Sequence, residues 1–158
     1  HFCKLNKINP NDINLKKILK FKENVYLKKT SFKLYPYVNK CIKNLKNDNI
    51  KLGIVTSGLR ERLINSVPND FLNNFEVIIT GEDSKYGKPS KQPFSSGLKK
   101  LNLLSNECIA VENAPLGIIS AKKSNLFCIA ISSTLDKKYL NYADIRLSSF
   151  KDFFLMLY

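Results

Sequence analysis

Leu52-Gly53-Ile54-Val55 is a short apolar run that breaks at Thr56-Ser57-Gly58, and Leu59, Leu63 and Val67 then recur at helical spacing until Pro68. A continuous apolar run of this length, stopped by a small-residue turn and followed by an amphipathic helix, is the pattern of a buried parallel strand and its crossover. The same alternation repeats downstream. Val77-Ile78-Ile79-Thr80 closes at Gly81, and Pro93 opens a helix with Phe94, Leu98 and Leu101 on one face. Cys108-Ile109-Ala110-Val111 closes at Glu112-Asn113, and Pro115 opens a helix through Leu116, Ile119 and Lys123. Phe127-Cys128-Ile129-Ala130-Ile131 and Asp144-Ile145-Arg146-Leu147 are the last two runs, and Phe150, Phe153, Phe154 and Leu157 form a closing amphipathic helix. Upstream, Val38, Cys41, Ile42 and Leu45 form one apolar stripe after Pro36, ended by Asn47-Asp48-Asn49. The expected class is α/β, a doubly wound parallel sheet. Residues 1–33 read as a basic helical piece in front of it, with Asn9-Pro10-Asn11-Asp12 as a turn and Leu15, Ile18, Leu19 and Tyr26 as a loose stripe.

The chain has 158 residues, 44% apolar and 25% charged, which suits one globular domain with or without a fragment of another. That balance is too apolar for a disordered tail and too polar for a membrane span. Lys and Arg total 26 against 13 acids, a net +13, and the excess is uneven: residues 1–51 carry 13 Lys against Asp12, Glu23 and Asp48. Only three Arg are present, and Arg is the residue that grips phosphates and base edges in two-pronged fashion. The bias therefore reads as a solvated lysine-rich surface, not as a nucleic-acid interface. His1 is the only histidine, which argues against a Ser-His-Asp triad and a histidine metal site. Cys3, Cys41, Cys108 and Cys128 contain no C-x-x-C pair. Three of them sit in apolar patterns, so they read as small core residues of a reducing compartment, the cytoplasm.

In open α/β sheets chemistry collects at the carboxyl ends of the strands. Three such ends carry candidates. Thr56, Ser57 and Gly58 offer a hydroxyl and a tight turn beside the unpaired N–H groups of a helix, an anion site, although Ser57 is equally suited to capping that helix. Gly87-Lys88-Pro89 aims one ammonium, because proline restricts the residue before it; the stretch from Gly81 to Gly87 is not a P-loop, since its glycine spacing is one residue too long and Pro89 stands where Ser or Thr is needed. Glu112 and Asn113 offer a carboxylate and an amide oxygen, which suit Mg²⁺, unless Asn113 caps the helix that Pro115 opens. Together a hydroxyl, a lysine and an acid–amide pair outline a magnesium–phosphate pocket.

These stretches, over about residues 34–158, resemble the haloacid dehalogenase superfamily, most of all its β-phosphoglucomutase and phosphoglycolate phosphatase branch. Ile54-Val55-Thr56-Ser57-Gly58 resembles the second motif of that family, Gly87-Lys88-Pro89-Ser90-Lys91-Gln92-Pro93-Phe94 the third, and Val111-Glu112-Asn113-Ala114-Pro115-Leu116-Gly117-Ile118 the fourth. The resemblance implies a phosphate-binding hydroxyl at Ser57, a phosphate-stabilising lysine at Lys88 and magnesium ligands at Glu112 and Asn113. Leu34-Tyr35-Pro36-Tyr37-Val38 resembles the return from an inserted helical cap, which makes residues 1–33 the end of that cap and residues 34–158 the core. Asn113 departs from the pattern, which usually has a second acid there, and the departure removes one negative charge from the metal site. The first motif, D-x-D-x-T/V, is absent: no two Asp stand two apart anywhere in the chain. The nucleophilic Asp and one central strand are therefore expected outside it. The implied activity is a cytoplasmic, Mg²⁺-dependent hydrolysis of small phosphorylated metabolites through an aspartyl-phosphate, with this stretch inactive alone. A sugar phosphomutase and a non-catalytic binding module with a basic surface are the alternatives.

Overall fold

The computed structural model describes residues 16–18, 20–22, 24–25 and 32–158. The chain divides into two units, His1–Phe32 and Lys33–Tyr158. In the first, residues 16–18, 20–22 and 24–25 are helical and Ile18 is exposed. Leu15, Leu19, Tyr26, Cys3 and the expected turn at residues 9–12 lie outside the described residues.

The second unit begins with α1 (Val38–Asn47), whose stripe buries Val38 and Cys41 and half-buries Ile42 and Leu45. Then come β1 (Gly53–Val55), α2 (Arg60–Ser66), the short α3 (Asn69–Leu72), which the periodicity did not suggest, and β2 (Val77–Ile79). Next are α4 (Gln92–Leu101), β3 (Ile109–Glu112), α5 (Pro115–Lys123), β4 (Phe127–Ile131), β5 (Ile145–Leu147) and α6 (Phe150–Leu157). Proline opens two of these helices, Pro93 within the first turn of α4 and Pro115 at the first position of α5, where a missing N–H costs nothing. Asn49, Asn102 and Asn125 follow α1, α4 and α5 with φ of 58°, 53° and 59°. Asparagine thus fills the left-handed stop that glycine takes elsewhere.

Among the described residues all strand pairs are parallel. Gly53 lies opposite Val77 between β1 and β2, Ile109 opposite Phe127 between β3 and β4, and Ile129 opposite Ile145 between β4 and β5. Among the described residues these strands make two sheets, β1-β2 and β3-β4-β5, and no strand joins β1 to β3. Helices cover both faces, as a doubly wound sheet requires. On one, Phe94 of α4 and Ile118 and Ala121 of α5 pack with Ala110, Cys128 and Ala130. On the other, Cys41 of α1 and Phe153 and Phe154 of α6 pack with Ile129 and Ile131. Helix α4 lies on β1 and β2 and also against α5, and Val55 of β1 packs into the cluster that contains Ala110 of β3. The two sheets are therefore held on one layer of helices. Gly97 lets α4 come close, since a Cβ there would stand 3.3 Å from the Val55 side chain. The apolar run of β3 is not buried on both faces: Ile109 and Val111 are 55% and 39% exposed. Both lie on the strand bordering the interruption, outside the cluster that α1 and α6 form with Ile129 and Ile131.

Candidate active site at the strand ends

Lys88 leaves the loop after β2 and reaches back to the ends of β1 and β3. Its Nζ donates to the carbonyl oxygen of Val55, the last residue of β1, at 2.9 Å, and to Oε1 of Glu112, the last residue of β3. It also stands 4.9 Å from the ring centroid of buried Phe94. The Lys88–Pro89 peptide is cis. The Lys88 and Glu112 side chains are only 10% and 9% exposed, so this ion pair is shielded where exposed pairs are screened.

Glu112 is held from its other side by backbone. Its Oε2 accepts the N–H of Asn113 at 2.9 Å and of Ala114 at 3.2 Å, just before α5 begins. A carboxylate placed there meets the positive end of the helix. Asn113 donates its side-chain amide to Thr134 Oγ1 at 3.0 Å. The cap residue of α5 is Ala114, without a side-chain bond, so Asn113 does not cap the helix.

Thr56, Ser57 and Gly58 form a turn closed by the Gly58 N–H on Thr56 Oγ1 at 3.0 Å. The tight turn expected at Gly58 is present without a positive φ, since the Thr56 hydroxyl closes it. Ser57 is exposed, and α2 starts after Leu59 with no side-chain cap, so Ser57 is not spent on capping. One of the helix N–H groups expected to be open is taken. Glu82 Oε2 already accepts the N–H of Arg60, the first residue of α2, at 2.8 Å.

The loop after β2 buttresses that turn. The Gly81 N–H donates to the Gly58 carbonyl at 2.9 Å, and a Cβ at Gly81 would lie 2.8 Å from the Ser57 carbonyl oxygen. Asp83 accepts from the Thr80 N–H and hydroxyl, both at 2.7 Å, and pairs with Arg60. These two Thr80 bonds, aided by Arg60, lower the Asp83 carboxyl to about 2. None of Thr134, Glu82 or Asp83 was singled out from the sequence. Their roles arise from contacts between loops that have no fixed spacing.

Mg²⁺ is commonly held by one or two carboxylates, substrate oxygens and water. Glu112 and the Asn113 amide oxygen fit two places in such a shell by donor chemistry, with Glu112 shared with Lys88. Among the described residues no group of three or more His, Cys, Asp or Glu is gathered. Likewise, no described helix is long and apolar enough to cross a membrane.

The model of the haloacid dehalogenase-like hydrolase family matches residues 2–131. The validoxylamine A 7'-phosphate phosphatase of Streptomyces hygroscopicus subsp. limoneus is 34% identical over 104 residues, 65% of this chain and 49% of that protein. The beta-phosphoglucomutase of Bacillus subtilis is 26% identical over 62% of this chain and 43% of its own length. The chain thus spans about half the length of these curated relatives. CbbY from Rhodobacter sphaeroides, solved in complex with phosphate, superposes with a TM-score of 0.76 at 22% identity, over 90% of this chain and 67% of that one. That likeness shows the α/β fold, and the family match shows the lineage. This chain belongs to the haloacid dehalogenase-like hydrolase family.

Proposed function

We propose that this chain is part of a Mg²⁺-dependent phosphatase of small phosphorylated metabolites. It works through an aspartyl-phosphate on a carboxylate outside residues 1–158. The observation that carries this reading is Lys88, whose ammonium spans the ends of β1 and β3. Three donors on one fixed nitrogen meet a carbonyl and a carboxylate, and a phosphoryl oxygen beside them would share the charge. Lys88 and Ser57 are assigned to the transferring phosphoryl group, with Thr56 and Gly58 shaping the turn that presents the Ser57 hydroxyl. Glu112 and Asn113 would hold Mg²⁺, which neutralises phosphoryl oxygens when bound. Residues 1–33 are assigned to the end of a helical cap. The cytoplasm is the proposed setting, in keeping with Cys41, Cys108 and Cys128 as free thiols.

The similarity to a beta-phosphoglucomutase favours one second reading, transfer to a sugar hydroxyl in place of water. One experiment separates the two. Full-length protein is assayed with Mg²⁺ on phosphoglycolate and a panel of sugar phosphates, alongside Lys88→Ala. Inorganic phosphate release that falls at least about tenfold in Lys88→Ala supports the phosphatase. Isomerised sugar phosphate without release supports the mutase. Neither product from the wild type defeats both and leaves a binding module.

A further inference from the structure

We infer that Gly117 is a positioning residue: its missing side chain is the socket that seats the Glu112 carboxylate against Lys88. Gly117 is the third residue of α5. It has no positive φ, so no backbone conformation requires a glycine there. Glycine inside a helix is less favourable than alanine, and its presence calls for another reason. The reason lies in the space above its Cα. A Cβ at position 117 would fall 2.1 Å from Glu112 Oε1, 2.2 Å from its Cδ and 2.5 Å from Oε2. The two oxygens are the atoms that accept from Lys88, Asn113 and Ala114. A methyl group and this carboxylate cannot share the site.

What yields is also determined. The obstructed atoms are the far end of a side chain, whereas α5 is anchored by buried Ile118, Ser120 and Ala121. Alanine at 117 therefore moves Glu112 and leaves the helix in place. With Glu112 displaced, Lys88 keeps Val55 and the Phe94 ring but loses its counter-charge, and its ammonium is free to swing toward solvent. Any consequence for turnover rests on the function proposed above; the positioning does not.

The test is the reactivity of Lys88 in the full-length protein, read by acetic anhydride labelling at fixed pH and quantified by mass spectrometry. In Gly117→Ala, Lys88 acetylates at least about threefold faster relative to the other lysines, as a group released from a protected state does. In Gly117→Ala combined with Glu112→Asp, the shorter side chain clears the new methyl and Lys88 protection returns. Lys88 remaining protected in a folded Gly117→Ala protein overturns the inference. So does a Gly117→Ala protein that fails to fold and is not recovered by Glu112→Asp, since Gly117 would then serve helix packing. Lys88 release with unchanged affinity for inorganic phosphate upholds the positioning and counts against the phosphate role of Lys88.

Discussion

Replacing Lys88 by methionine keeps an unbranched apolar stem and removes only the charge and its donors. Three interactions go with it: the bond to the Val55 carbonyl at 2.9 Å, the ion pair with Glu112 and the approach to the Phe94 ring. Removing one partner of a buried pair commonly costs about 3–5 kcal/mol, because the other charge is stranded. Glu112 is not wholly stranded here, since the Asn113 and Ala114 N–H groups and the start of α5 still stabilise it. The expected loss for Lys88→Met is therefore about 2–3 kcal/mol, below the full stranding figure. Glu112→Gln keeps the shape and the acceptor but discards the charge, and is expected to lose about 1–2 kcal/mol. Their combination leaves no orphaned charge, so the double variant should be more stable than the sum by about 1.5 kcal/mol or more. Urea unfolding of the four proteins at pH 7 measures this coupling without any assumption about substrate. A coupling below about 0.5 kcal/mol, the level seen for residues that do not touch, would refute the pairing and with it the arrangement of the site.

Gly81→Ala sets a methyl group 2.8 Å from the Ser57 carbonyl oxygen, a backbone atom with little room to retreat. It is expected to destabilise by about 1–3 kcal/mol and to weaken inorganic phosphate binding, both readable by calorimetry. Asp83 titrates near 2 in the fold against an ordinary 3.8, chiefly through its Thr80 bonds. Its contribution is thus present above about pH 4 and is lost as pH falls toward 2; denaturation across that window should show a shallower decline for Asp83→Asn than for the wild type. Burial, with the Glu112 and Asp144 charges secondary, pushes the Cys128 thiol up to about 12. Cys128 should therefore resist an aromatic disulfide reagent at pH 8 until urea unfolds the chain, and rapid native labelling would contradict its placement.

Much of the fold was legible because its strands are continuous apolar runs closed by turn residues. Val77–Ile79 and Phe127–Ile131 carry that pattern, and helices α4 and α5 announce themselves by proline. The short helix Asn69–Leu72 was not legible, since one turn has no periodicity to detect. Exposure of Ile109 and Val111 was not legible either: a missing central strand was expected, but only the strand order shows that β3 borders the gap. At the site, Ser57, Lys88 and Glu112 could be picked out as polar residues at strand ends. The competing capping roles of Ser57 and Asn113 could be settled only by seeing Leu59 and Ala114 at the cap positions.

The order of the motifs, the parallel α/β class and the family are properties of the linear chain, because period and turn chemistry act over a few residues. The grip of Lys88 on Val55 and Glu112 belongs to the tertiary structure, since its partners stand 33 and 24 residues away. So does the part played by Gly117. Along the sequence it is one weak helix former; in three dimensions it is the space a carboxylate occupies. An absence of atoms has meaning only relative to what packs against it, and packing is decided by the fold.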